Sequence, residues 1–301
     1  MAYINKRLGT DSFPGRLNEA RTQTTAGGGT SLGTVVTVSS VIALANKTTH
    51  VTLYPRNFTG ANVLKFSLNP FLEILVTSNG LQSVTDYSQI GQQNPADATG
   101  VVLNGATGAA LYIGSHVPFR GVAVTNVNAN TNASVLTVNF WNGSAWTAVS
   151  GFTDGTTAGG NTMSQNGLVT WTVPSTWAKT LLSDAIPGIS SSISGWGTVP
   201  GQSQPVIPVA PIQKATLLPY NEKPRFWAQW NFSAALSANV SNSPMLSLNR
   251  STQYAEIEAK VFMQLRTFHG PDGIAAIEAI LDAGTGNLIV TAYNDSENGS
   301  F

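Results

Sequence analysis

The sequence predicts a mainly β protein: a jelly-roll-like β-sandwich with an N-terminal β segment and arm and a small C-terminal β-α-β segment. Three observations predict it. Only 10% of the 301 residues are charged, against roughly 25% in an average soluble protein, which disfavours long solvated helices. Polarity comes instead from Asn, Ser, Thr and Gln, while Val, Thr, aromatics and 29 glycines favour strands and turns. Short apolar runs bounded by Gly, Asn or Pro recur about every ten residues, the rhythm of a sandwich or barrel.

Residues 1–33 are polar and end in "TTAGGGTSLG", the composition of a loose tail. We expect an extended arm that needs something to hold it, most simply a neighbouring subunit. Residues 34–108 form an N-terminal β segment. Here "TVVTVSSVIAL", "HVTLYPRNF", "NVLKFSL" and "FLEILVTS" read as strands. Gly91 and Pro95 mark a polar break before "GVVLNG" and "AALYIG".

Residues 109–250 form the central sandwich, with a Pro-rich insertion at 187–224. Its most informative run is "FWNGSAWTAVSGFTDGT", from Phe140 to Thr156. Asn142-Gly143 is a strong two-residue hairpin signal, because both turn positions need positive φ. With Trp141 and Ser144 flanking that turn, Phe140 faces Ala145, Val138 faces Thr147 and Leu136 faces Val149, an apolar face for the core. The other face carries Thr137, Asn139, Trp141, Ser144, Trp146 and Ala148. The two tryptophans are thus diagonal neighbours that pack on each other, on another sheet or on a partner. "LVTWTVPSTW" resumes the alternation with Val169, Trp171 and Val173, and Pro174 ends the strand or marks an edge. In "RFWAQWNFSAAL", Phe226, Ala228, Trp230 and Phe232 alternate with Trp227, Gln229 and Asn231.

The insertion carries Pro200, Pro205, Pro208, Pro211, Pro219 and Pro224, a spacing that blocks sheet pairing. It also carries apolar Val206, Ile207, Val209, Ile212, Leu217 and Leu218. An arm lying along a neighbour and a loop folded on its own domain are both open readings.

Residues 251–301 form a strand-helix-strand segment. Ala255, Ile257, Ala259, Val261, Met263 and Leu265 fall on every second residue of one long strand. "PDGIAAIEAILDAGTG" reads as the one helix: Asp272 caps it, Ile274, Ile277 and Leu281 form its stripe beside Ile280, and Gly284 suits its C′ position. "NLIVTAY" is a last strand.

Formal net charge is zero, with 15 basic and 15 acidic side chains. No basic field attracts phosphate backbones, so nucleic acid is not an expected partner. A near-neutral surface suits life in an assembly. Without cysteine there is no disulfide framework and no thiolate metal site. The start, "MAYINKRLGTDSFPGRLNEA", lacks an apolar signal core and no run reaches transmembrane length, so no membrane is expected. Asn-X-Ser/Thr matches, as at Asn46, Asn57, Asn132 and Asn142, read as by-products of composition.

Candidate chemistry is sparse, and no cofactor is expected. His50, His116 and His269 fall in no ligand-spaced motif, and no Gly-x-Ser-x-Gly, His-Glu-x-x-His or P-loop is present. Asp154, Asp184, Glu256, Glu258 and Glu278 are the scarce carboxylates a glycoside hydrolase would need. Glu256 and Glu258 share a strand face that solvation explains better. "TDGTTAGG" around Asp154 is oxygen-rich but lacks the dense spacing of a Ca²⁺ loop, and reads as a turn. Trp141, Trp146, Trp177 and Trp196 could stack on sugars beside Asn and Gln amides, or wall a sandwich or a subunit contact.

The run from Ala110 to Trp177 resembles a module of structural proteins of tailed bacteriophages. The pattern is aromatic-Trp-Asn-Gly-x-x-Trp (Phe140 to Trp146), Asp-Gly-Thr (Asp154 to Thr156), then Gly-x-Val-x-Trp-x-x-Pro-x-x-Trp (Gly167 to Trp177). "RFWAQWNFSAALSANV" resembles its closing strand. The match covers 109–240, from which the Pro-rich stretch departs. The resemblance implies a non-enzymatic component of a virion assembled in the host cytoplasm, and no catalytic residues. The favoured expectation is a capsid decoration or cement protein. A tail, baseplate or fibre component and a carbohydrate-binding host-adhesion module are alternatives, with a depolymerase third. Expected partners are copies of itself and other virion proteins such as major capsid or tail proteins, with a host-surface glycan as a further candidate. The expected contact residues are Trp141, Trp146, Val206, Ile207, Val209, Ile212, Leu217 and Leu218.

Overall fold

The computed structural model describes residues 19–23, 28–44, 48–60, 63–77, 84–88, 90–92, 100–103, 110–186, 223–251, 254–258, 263–266 and 274–295. The chain is mainly β, built from open antiparallel sheets. It divides into two units: Met1–Asn69 with Gln253–Phe301, and Pro70–Thr252. The stretch from 34 to 108 is therefore shared between them. No helix among the described residues is long and apolar enough to cross a membrane.

The chain enters the first unit with β1 (Glu19–Gln23), β2 (Thr30–Leu32), β3 (Val41–Ala43), β4 (Thr48–Thr59) and β5 (Val63–Pro70). It then builds the whole second unit, beginning with β6 (Glu73–Thr77), β7 (Val84–Asp86), β8 (Val101–Val102), β9 (Ala110–Ser115) and β10 (Gly121–Asn128). There follow β11 (Leu136–Trp141), β12 (Trp146–Ala148), β13 (Thr153–Asp154), β14 (Gly167–Thr170) and β15 (Lys179–Thr180). A single helical turn, α1 (Leu182–Ala185), precedes β16 (Arg225–Phe232) and β17 (Ser241–Ser247). The first unit is completed by β18 (Ala255–Glu258), β19 (Met263–Arg266), β20 (Ile274–Leu281) and β21 (Thr285–Asp295).

In the second unit one sheet runs β12-β11-β16-β9-β6-β7, with β15 also on β16, and the other runs β13-β14-β10-β17-β8. Alternation selects the core side of each strand. Leu136, Val138 and Phe140 of β11, Ala228 and Trp230 of β16 and Ile113 of β9 share one buried cluster with Val122, Val124, Val169 and Met245 of the other sheet. Each fully buried aliphatic chain there contributes about 1.5–3 kcal/mol. One end of this sandwich is polar. Asn126, Asn128 and Asn130 recur on every second residue. Asn130, 2% exposed, donates to the carbonyls of Asn132 and Thr162 and accepts from the N–H groups of Asn132 and Ser237. Asn126 donates to the Met163 carbonyl and Asn128 to the Ser241 hydroxyl.

In the first unit the sheets run β1-β21-β4-β19, with β2 also on β21, and β18-β5-β20-β3. Leu53, Leu288 and Val290 of one share a cluster with Leu64, Phe66 and Ile277 of the other. The described parts of the 1–33 arm are held by the chain itself: β1 and β2 both pair with β21.

The expected C-terminal helix is a strand. In Ile274–Leu281 every residue but Glu278 is apolar, so a helical stripe and a two-sided strand fit the same letters. Ile277, Ala279 and Leu281 enter the core cluster, while Ala276 and Glu278 are fully buried on the opposite face. Burial on both faces is the condition of an interior strand, and β20 lies between β5 and β3. Glu278 accepts from Asn69 and from the Tyr254 hydroxyl. The stretch expected as one strand from 255 to 265 is also different. β18 pairs with β5 and β19 with β4, in separate sheets, and Ala259 and Val261 lie outside the described residues.

Gly284 does need left-handed backbone, at φ +66°, but in the turn between β20 and β21. A Cβ there would run into the Thr59 carbonyl. Gly284→Val should therefore lose about 2 kcal/mol or more of unfolding free energy, read as a lower urea midpoint at unchanged slope. Gly33→Ala, with open space at its Cβ, should stay within about 0.5 kcal/mol.

Candidate functional site: the tryptophan face and the roots of the insertion

Trp141 and Trp146 are direct cross-strand partners on the outward face of the β11–β12 hairpin. The expected register is off by two residues, because Asn142-Gly143 does not form a two-residue turn. The Asn142 side chain closes a longer loop instead: its Oδ1 accepts from the N–H groups of Ser144 and Ala145 and from the Ser144 hydroxyl. Phe140 thus opposes Thr147, where Ala145 was expected. A two-residue shift leaves every side chain on its expected face. The reciprocal two-residue turn with both φ positive lies elsewhere, at Gly159-Gly160, between Ala158 and Asn161.

The two indoles meet edge to face, centroids 5.6 Å apart. Both are half-buried. Trp146 also contacts Tyr112 at 5.7 Å and donates its Nε1–H to the Ala185 carbonyl at 3.0 Å. Beside them, Trp227 is fully buried and donates to the Thr180 carbonyl at 3.0 Å. Trp177 donates to the Trp227 carbonyl at 3.0 Å, and the Trp141 carbonyl accepts from the Ala178 N–H. Three indoles thereby fasten residues 177–186 to the sheet. Trp227 fits because its cross-strand partner is Gly114. A Cβ at that position would stand 2.6 Å from the indole ring.

This fastening sits at the roots of the insertion. β15 pairs with the first residues of β16, Lys179 with Phe226 and Thr180 with Arg225. The stretch that leads into the insertion thus pairs with the strand that follows it. Arg225, 6% exposed, pairs with Glu73 at 3.2 Å. Val206, Ile207, Val209, Ile212, Leu217, Leu218 and Trp196 lie outside the described residues. Trp177 belongs to the core, with Phe119, Trp171 and Phe140 around it.

The other candidates resolve as structure. Asp154 Oδ1 accepts from the Thr156 N–H and hydroxyl, and Oδ2 from the hydroxyls of Thr157 and Thr162. The carboxylate organises the loop from Asp154 to Gln165. Glu256 pairs across the strands with Lys65 at 3.5 Å, both partly exposed, a contact worth little. Among the described residues no group of three or more His, Asp or Glu could hold a metal. His269 lies outside them.

Burial holds the Tyr112 phenol above its ordinary value, partly offset by the hydrogen bond from Gln229. Tyr87 is raised likewise by burial, less a backbone bond with Val102. Comparison with known protein families, curated proteins and solved structures finds no match.

Removing an indole donor while keeping an aromatic ring tests the fastening. Trp227→Phe should cost about 1–3 kcal/mol, because the Thr180 carbonyl loses its indole donor. Gly114→Val should cost at least as much by displacing the ring. Both are read from denaturant unfolding. In pH, a phenol with a raised folded pKa leaves stability intact below about 10 and removes it as pH climbs through the folded value. Tyr112→Phe should flatten part of that alkaline loss.

Proposed function

We propose that this chain is a non-enzymatic structural component of a tailed-phage virion, a capsid decoration or cement protein with a jelly-roll-like central unit. The observation that carries the reading is the anchoring at the insertion. Two paired roots and three indole bonds fix where residues 187–222 leave and rejoin the sandwich. That segment's Val206, Ile207, Val209, Ile212, Leu217 and Leu218 then meet a neighbouring copy or a shell protein. The resemblance of residues 109–240 to a phage structural module supports the same reading. A specific contact of this kind buries roughly 1,200–2,000 Å², and symmetry multiplies weak contacts into avidity.

Immunogold labelling of purified particles tests it. Label on the head supports the proposal. Label confined to the tail moves the chain to a tail, baseplate or fibre role, and absence from particles ends the virion reading. Changing the six apolar insertion residues to Ser should leave the thermal midpoint of the isolated chain within a few degrees while abolishing its binding to particles stripped of it.

A further inference from the structure

We propose that the outward face around Trp141, Trp146 and Asn139 is a binding site for neutral sugars, a second function that does not depend on the virion role. From Gly121 to Ala178 the chain carries one charged residue, Asp154, and its carboxylate is taken by four donors within its own loop. Beside it, the fastened segment adds Lys179 and Asp184, one charge of each sign, so the face has no net charge and complements an uncharged, hydroxyl-rich partner.

The side chains on that face suit such a ligand. Trp141 and Trp146 stand side by side, half-buried, so each keeps part of its ring open to solvent. Trp146 is held in place by Tyr112 and the Ala185 carbonyl, so little rotamer freedom is lost on binding. Two residues along β11, about 7 Å away, Asn139 lies on the same face. Its Nδ2 donates to Gln229 at 3.3 Å, which leaves its Oδ1 and a second N–H for ligand hydroxyls. Its cross-strand partner on β12 is Ala148, exposed and small. An apolar ring stacked on an indole, with hydroxyls on a neighbouring amide, is how an amphipathic pyranose is held.

The experiment is a printed array of neutral oligosaccharides (glucans, galactans, mannans) with sialylated and uronic-acid glycans as charged comparators, probed with the full chain. Binding to neutral members, unchanged within about twofold between about 0.05 and 0.5 M NaCl, supports the site. Trp141→Ala and Asn139→Ala should each weaken it by about tenfold, with unfolding midpoints near the parent's. No neutral binding by the parent, binding to charged glycans alone, or binding indifferent to both substitutions overturns it. If Trp141→Ala instead dissolves an oligomer seen by sedimentation, the face is a contact between copies and the proposal fails. None of these results bears on whether the chain is found on particles.

Discussion

A backbone carbonyl taken out of water needs a donor, and that requirement organises the outer side of the larger sheet. Residues 177–186 cross it without continuous strand pairing; β15 contributes only Lys179 and Thr180. Their attachment is made by indole N–H groups, which can only donate; those of Trp146 and Trp227 rise from the sheet, while Trp177 belongs to the segment and lies in the core. Trp146 serves Ala185, Trp227 serves Thr180, and Trp177 ties back to the Trp227 carbonyl. Leu182, Ala185 and Ile186 are buried as a result. Both faces of the sheet are thereby used: one closes the sandwich core, the other seats the segment that leads into the insertion.

The polar end of the same sandwich solves its problem almost without charge. Asn130, Thr156, Thr162 and Asn242 are buried, and neutral amides and hydroxyls form the links at that end of the sandwich. Asp154 is the exception, with its carboxylate bonded wholly within its loop. Links of this kind depend little on ionic strength, and they present hydrogen-bonding groups of no net sign. That property connects the architecture to both proposals, since contacts with like copies and with uncharged sugars need shape and hydrogen bonds more than steering fields.

Much of the central sandwich was legible because alternation is a local signal. Leu136, Val138 and Phe140, and Ala228 and Trp230, declared their buried face in the letters themselves. The Trp pair was legible as sharing a face, but not its register, since Asn142 spent its side chain closing the loop that its backbone was expected to turn. At the C-terminus the signal failed for a physical reason. Ile274–Leu281 is apolar nearly throughout, so only its neighbours, β5 and β3, decide between helix and strand. Gly284 marked a left-handed turn without saying which element it ended. The seat of Trp227 was illegible, because it rests on Gly114, over a hundred residues away and unremarkable in sequence. The six apolar residues of the insertion lie outside the described residues.

The most direct test of the indole fastening is hydrogen exchange at the tryptophan Nε1–H groups by NMR of the native protein. The indole protons of Trp146, Trp177 and Trp227 should exchange far more slowly than that of Trp141, which has no such carbonyl partner among the described residues. Exchange of all four at the rate of a solvent-exposed indole would show that residues 177–186 are not held as described, and the anchored insertion would lose its basis.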